Sequence, residues 1–122
     1  MTTRIENPAN ADHWMTLHPI EGRVRLSKSG TLVADTTSAF YVVENGKTLY
    51  DPRVYFPASD LTVEMSQSDK TTHCPLKGDA SYFTLNGEEL GWRYSALPFA
   101  AQIDQHVSLW DRGLTMEISH AL

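Results

Sequence analysis

The chain has 122 residues, 41% of them hydrophobic and 20% charged. That is enough for one domain with a real apolar core and too little for two independent ones. Ten Lys and Arg against fifteen Asp and Glu leave a net charge of −5, an average field that disfavours nucleic acid and anionic membranes as partners.

Residues 1–21 are punctuated by Pro8 and Pro19. They are expected as an extended arm, or a short helix over residues 9–16, anchored on the domain by Trp14, Met15 and Leu17. From residue 22 to 122 the texture is that of a single β domain. Val24 and Leu26 alternate with Arg23 and Arg25, the period-two signature of a half-buried strand. Ser29-Gly30 turns the chain into Thr31–Ala34. Ser38–Glu44 is aromatic and β-branched, and Asn45-Gly46 signals a hairpin into Lys47–Tyr50. Leu61, Val63 and Met65 alternate with polar residues, predicting a strand after the Pro57-Ala58-Ser59-Asp60 turn. Asn86-Gly87 joins Asp79–Leu85 to Leu90–Ser95, and Asp111-Arg112-Gly113 joins Gln105–Trp110 to Leu114–Ser119. Only Phe99–Asp104 looks helical. Closely spaced hairpins predict a mainly β fold, an antiparallel β-sandwich or small barrel with at most one or two short helices.

Cys74 is the single cysteine, which excludes an intrachain disulfide and a multi-cysteine zinc site and fits a reducing compartment. No spacing of His, Cys or carboxylates matches a metal-ligand pattern, and no cofactor fingerprint is present, so neither a metal nor a cofactor is expected. The first residues lack the apolar stretch of a secretory signal, and no apolar run is long enough to span a bilayer. The expected location is the cytoplasm.

Several segments carry a resemblance. They are His18-Pro19, Arg23-Val24-Arg25, Val33-Ala34-Asp35-Thr36, Val54-Tyr55-Phe56-Pro57 with Asp60, Thr72 to Phe83, and Trp92-Arg93-Tyr94. In this order and spacing the chain resembles the bacterial and fungal family called domain of unknown function 427, sometimes labelled nucleotidyltransferase-like. The Cys74-Pro75-Leu76-Lys77-Gly78 segment carries most of the likeness. Leu76 departs from it, because an aromatic residue is common there. The resemblance implies a compact β-rich fold and no particular activity. The nucleotidyltransferase label finds no support in the residues, which include no Gly-rich phosphate loop, no Asp-x-Asp pair and no Walker-type lysine.

Within Cys74–Gly78, Pro75 suits the second position of a β-turn, which brings Cys74 and Lys77 within about 7 Å at their Cα atoms. An ammonium beside sulfur favours the thiolate, the nucleophilic form. The alternative is a buried, inert cysteine with Lys77 solvated. Asp35 reads either as a turn cap or as a proton-transfer carboxylate facing Lys77. Among the aromatic residues, Tyr55, Tyr82, Trp92 and Tyr94 are candidates to line a ligand pocket, and Arg23 to meet an anionic group at its mouth. His73, next to Cys74 on a strand, points away from it. His13 is expected at the surface.

Two functional readings follow. One is a small-molecule pocket around the Cys-Pro-x-Lys-Gly turn; if it is catalytic, Cys74 is the nucleophile, Lys77 stabilises the thiolate and Asp35 moves the proton. The other is a non-enzymatic ligand- or protein-interaction module with a structural cysteine. An exposed edge strand would also offer a surface for a homodimer.

Overall fold

A computed structural model describes residues 2–120. Eleven strands are present: β1 (Thr3–Asn7), β2 (Asn10–Pro19), β3 (Arg23–Lys28), β4 (Thr31–Thr36), β5 (Phe40–Asn45), β6 (Arg53–Pro57), β7 (Ser66–Cys74), β8 (Gly78–Leu85), β9 (Glu88–Ala96), β10 (His106–Leu109) and β11 (Leu114–Ser119). The only helical turns among the described residues are 3-10 segments at Ala58–Asp60 and Pro98–Ile103. Eight strands form one antiparallel sheet in the order β1-β2-β5-β6-β10-β9-β8-β7, and three form a second in the order β11-β3-β4. Both sheets are open, so the barrel expected as one alternative is not realised.

The large sheet is apolar on both faces. Neighbouring residues on one strand serve opposite clusters: Tyr55 one and Phe56 the other, Tyr82 one and Phe83 the other, as pleating requires. One face packs Phe56, Phe83, Val107 and Leu109 against Val24, Leu26 and Val33 of the small sheet. The other gathers Met15, Leu17, Val42, Tyr55, Leu76, Trp92 and Tyr94. A register shift between Phe83 and Thr84, opposite Gly91 and Glu89, lets Leu90 belong to the first cluster while Trp92 and Tyr94 belong to the second.

Four local expectations change, one of them at Asp111-Arg112-Gly113, which joins β10 of the large sheet to β11 of the small one and so closes no hairpin. Residues 3–19 are strands of the large sheet rather than an arm or a helix. Met15 and Leu17, both buried, alternate with Thr16 and His18, and this period-two pattern pairs with β5 at Glu44 and Val42. The hairpins at Ser29-Gly30 and Asn86-Gly87 form as expected, with positive φ at all four residues, the geometry of a type I′ turn. Asn45-Gly46 does not form such a turn. Lys47–Tyr50 contributes only an isolated bridge, between Asn45 and Leu49, and the partner strand β6 starts at Arg53. Residues 61–65 likewise make one bridge, Ala34 to Leu61, and pack as an irregular strap of Leu61, Val63 and Met65 over the inter-sheet core. The strand after the turn is instead the polar edge strand β7.

Candidate functional site

Cys74 ends β7 and Gly78 begins β8, and the two are register partners. The intervening turn is fixed from several sides. Leu76 is fully buried among the aromatic cluster. The Lys77 carbonyl accepts a hydrogen bond from Leu97 N at 2.9 Å. Gly78 has φ +125° and lies so close to the Ser95 carbonyl that a Cβ has no room there. The Lys77 amide donates to Cys74 Sγ at 3.4 Å.

This clamp turns the Lys77 side chain inward. Lys77 is only 5% exposed, an uncommon state for a lysine unless it is paired. Its Nζ donates to Glu44 Oε1 on β5 and lies 3.8 Å from Cys74 Sγ and 5.5 Å from the Tyr94 ring centroid. The other Glu44 oxygen is 2.9 Å from His13 Nε2 on β2. Burial by itself would raise the Glu44 carboxyl, but the Lys77 charge and the hydrogen bonds from Lys77 and His13 outweigh it and hold the group below the ordinary carboxylate range.

Cys74, Lys77 and Glu44 line a cavity of about 460 Å³, within the usual range for small-molecule sites. Its walls are aromatic: Tyr55, Tyr82, Trp92, Tyr94 and Trp110. Trp92 Nε1 donates to the Tyr55 hydroxyl at 3.1 Å, and Trp92 and Trp110 have ring centroids 4.5 Å apart. Burial pushes both the Tyr55 and Tyr94 hydroxyls up, so both remain neutral donors. Tyr94 has no hydrogen-bond partner for its hydroxyl among the described residues, which leaves a free donor in the aromatic wall. Arg53, also in the lining, lies 5.2 Å and 5.1 Å from the Trp92 and Trp110 ring centroids. It makes no ion pair with any described residue.

Cys74, Lys77, Tyr55, Tyr82, Trp92 and Tyr94 thus share one cavity. Asp35 and Arg23 lie elsewhere, on the small sheet. Arg23 Nε and Nη2 reach the two Asp35 oxygens at 2.8 Å and 2.6 Å, and Arg25 adds a contact at 3.7 Å. The Arg23 hydrogen bonds and charge hold the Asp35 carboxyl low. Asp35 does not face Lys77; Glu44 takes that position. His73 points away from the cavity onto Asp79, 2.7 Å from its carboxylate, whereas His13 is half-buried against Glu44 rather than free at the surface.

Glu44, His13, Arg53 and Trp110 complete the site and were not selected from the sequence. The one available signal was Glu44, an acid at the end of the apolar run Phe40–Val43. His13, Glu44 and Cys74 each offer a ligand atom within 4.8 Å of the others. The Lys77 ammonium already sits on the Glu44 carboxylate beside the sulfur, so a metal cation there would meet a fixed like charge.

Fold and site together define a two-sheet antiparallel β domain with a half-open aromatic cavity and a buried Glu–Lys pair beside its single thiol. Residues 16–120 match the family described as domain of unknown function (DUF427). The chain belongs to that family. No curated protein matches the chain.

Proposed function

We propose that the chain binds a small, planar organic molecule in the aromatic cavity and that Cys74 adds to a polarised double bond of that molecule, the π bond breaking as the S–C bond forms and the thiol proton ending on the atom that receives the electron pair. The observation that carries this reading is the buried Lys77 ammonium held 3.8 Å from the sulfur in the wall of the cavity. A cation fixed beside sulfur stabilises the thiolate that forms the S–C bond. Glu44 keeps Lys77 in place by a charge-assisted hydrogen bond. His13 donates its Nε2 proton to the far oxygen of the same carboxylate, which leaves Nδ1 as the ring atom able to take the thiol proton. The rings offer stacking faces, Tyr94 a hydroxyl donor, and Arg53 a cation for an anionic substituent of the ligand.

The test is alkylation of the folded protein by iodoacetamide near neutral pH, beside ligand screening by thermal shift. A thiol that reacts faster than free cysteine, and is protected by a stabilising ligand, supports the reading. A thiol that stays silent in the native state removes the chemical role. In that case a ligand whose affinity survives Cys74→Ser and is lost in Trp92→Ala identifies a binding module instead.

A further inference from the structure

A second cavity, of about 280 Å³, opens on the opposite face of the large sheet, under the strap of residues 61–65. Arg93 reaches this face because it alternates with Trp92 and Tyr94, which point to the aromatic cavity. In the register Arg93 lies directly between Ser81 on β8 and Val107 on β10, and all three line the cavity. Leu61, Val63, Met65 and Phe83 supply the rest of an apolar bed, with Gln67 at its edge.

The polar groups here have no partners among the described residues. Of the ten basic residues, Arg4, Arg23, Arg25, Lys28, Lys70 and Lys77 each hold a carboxylate, whereas Lys47, Arg53, Arg93 and Arg112 hold none from a described residue, and of these four Arg93 alone lines this cavity. Arg93 is half-buried yet makes no ion pair and no side-chain hydrogen bond with any described residue. The Ser81 hydroxyl and Gln67 amide beside it are equally unpaired among the described residues. A guanidinium set next to a hydroxyl, with Leu61, Val63 and Met65 alongside, has the donors for one carboxylate and a limited apolar surface for a short tail.

We propose that this cavity binds a short aliphatic monocarboxylate, its head group on Arg93 and Ser81 and its chain under Val63 and Met65. The site is distinct from the cavity at Cys74, since the two open on opposite faces of one sheet, with Tyr82 bordering both. It involves recognition only, with no bond made or broken.

Octanoate, 1-octanol and octylamine share a tail and differ in head group, so calorimetric titration of the full chain with each reads the proposal directly. Octanoate is expected to bind, and the alcohol and amine to bind at least about tenfold more weakly, because a charge-assisted pair is the stronger bond. Arg93→Gln should remove this preference by weakening octanoate alone. Val63→Trp should block all three by filling the hollow, and Cys74→Ser should change none. Arg93→Lys, which keeps the charge but not the fork, should retain part of the octanoate affinity. Each variant is compared at matched thermal unfolding midpoint and circular dichroism, so a folding defect is seen separately. The proposal is overturned if wild-type protein does not bind octanoate, if the three probes bind alike, or if folded Arg93→Gln binds octanoate as wild type does.

Discussion

At the scale of single residues, the strongest interaction on the site is also the one with opposed consequences. Two charges about 4 Å apart interact by roughly 4 kcal/mol at an effective dielectric of about 20. The Lys77 ammonium and the Cys74 sulfur, at 3.8 Å, would approach that figure if Lys77 were free. Glu44 shares the same ammonium, offsetting much of its field. The net field at the sulfur is therefore modest, and an effect of about tenfold at most on its alkylation rate is expected. Lys77→Met should slow alkylation of Cys74 by up to about that factor, whereas Glu44→Gln, which leaves the ammonium with a neutral partner, should speed it. Equal rates in the two variants would show that the sulfur does not feel this pair. Glu44 also predicts a pH response. Its carboxyl is held below the ordinary range in the folded chain, so it contributes stability above the unfolded-state value. That contribution is lost as pH falls through the folded-state value. The gap in thermal midpoint between wild type and Glu44→Gln should therefore narrow on going from about pH 6 to about pH 3. A constant gap would mean that the pair contributes nothing net.

At the scale of elements, the turn between β7 and β8 makes the site, and one glycine makes the turn. With φ at +125° and the Ser95 carbonyl against it, Gly78→Ala combines backbone strain with a clash and should cost about 2–4 kcal/mol. Denaturant unfolding reads this cost. Gly87→Ala, at φ +79° with open space around it, provides the control for strain alone and should cost about 1 kcal/mol. A similar cost for the two would sink the idea that the packed turn, rather than positive φ, is what matters. The turn was legible in the sequence because Pro, Gly and two chemically distinctive residues fall within five positions. The inward course of Lys77 was not, because it depends on Leu76 sinking into the core and on the contact of Lys77 O with Leu97, remote in the chain. The N-terminal hairpin was missed for a related reason. Its residues 9–13 hold no apolar residue larger than alanine and only half of its length is alternating, and its partner β5 lies about twenty-five positions away, as the pairing of Leu17 with Val42 shows.

At the scale of the whole molecule, the eight-stranded sheet leaves β1 and β7 as its edges. β7 is almost wholly exposed and carries Asp69 and Lys70, and β1 carries Arg4 and Glu6. Charged edges of this kind discourage strand pairing between copies. The chain is expected to sediment as a monomer at micromolar concentration, and a concentration-dependent dimer would instead mark one edge as an interface. Amide exchange should be slowest in β6, β9 and β10, which are paired on both sides and buried, and fastest in β7 and β1.

Family membership, the mainly β architecture, two of the hairpin turns and the placing of Cys74 and Lys77 at the two ends of one turn were all legible in the sequence alone, because each rests on local pattern: period-two alternation, turn chemistry and residues a few positions apart. Tertiary structure alone decided which carboxylate meets Lys77. Asp35 was the nearer guess by motif, yet its strand joins the small sheet and its charge is taken by Arg23. Glu44 reaches the turn because β5 lies in the large sheet, on the face that Leu76, Tyr55 and Trp92 share. Which strands become neighbours, and which face each presents, follows from burying both sides of that sheet at once. No stretch of chain read by itself contains that constraint.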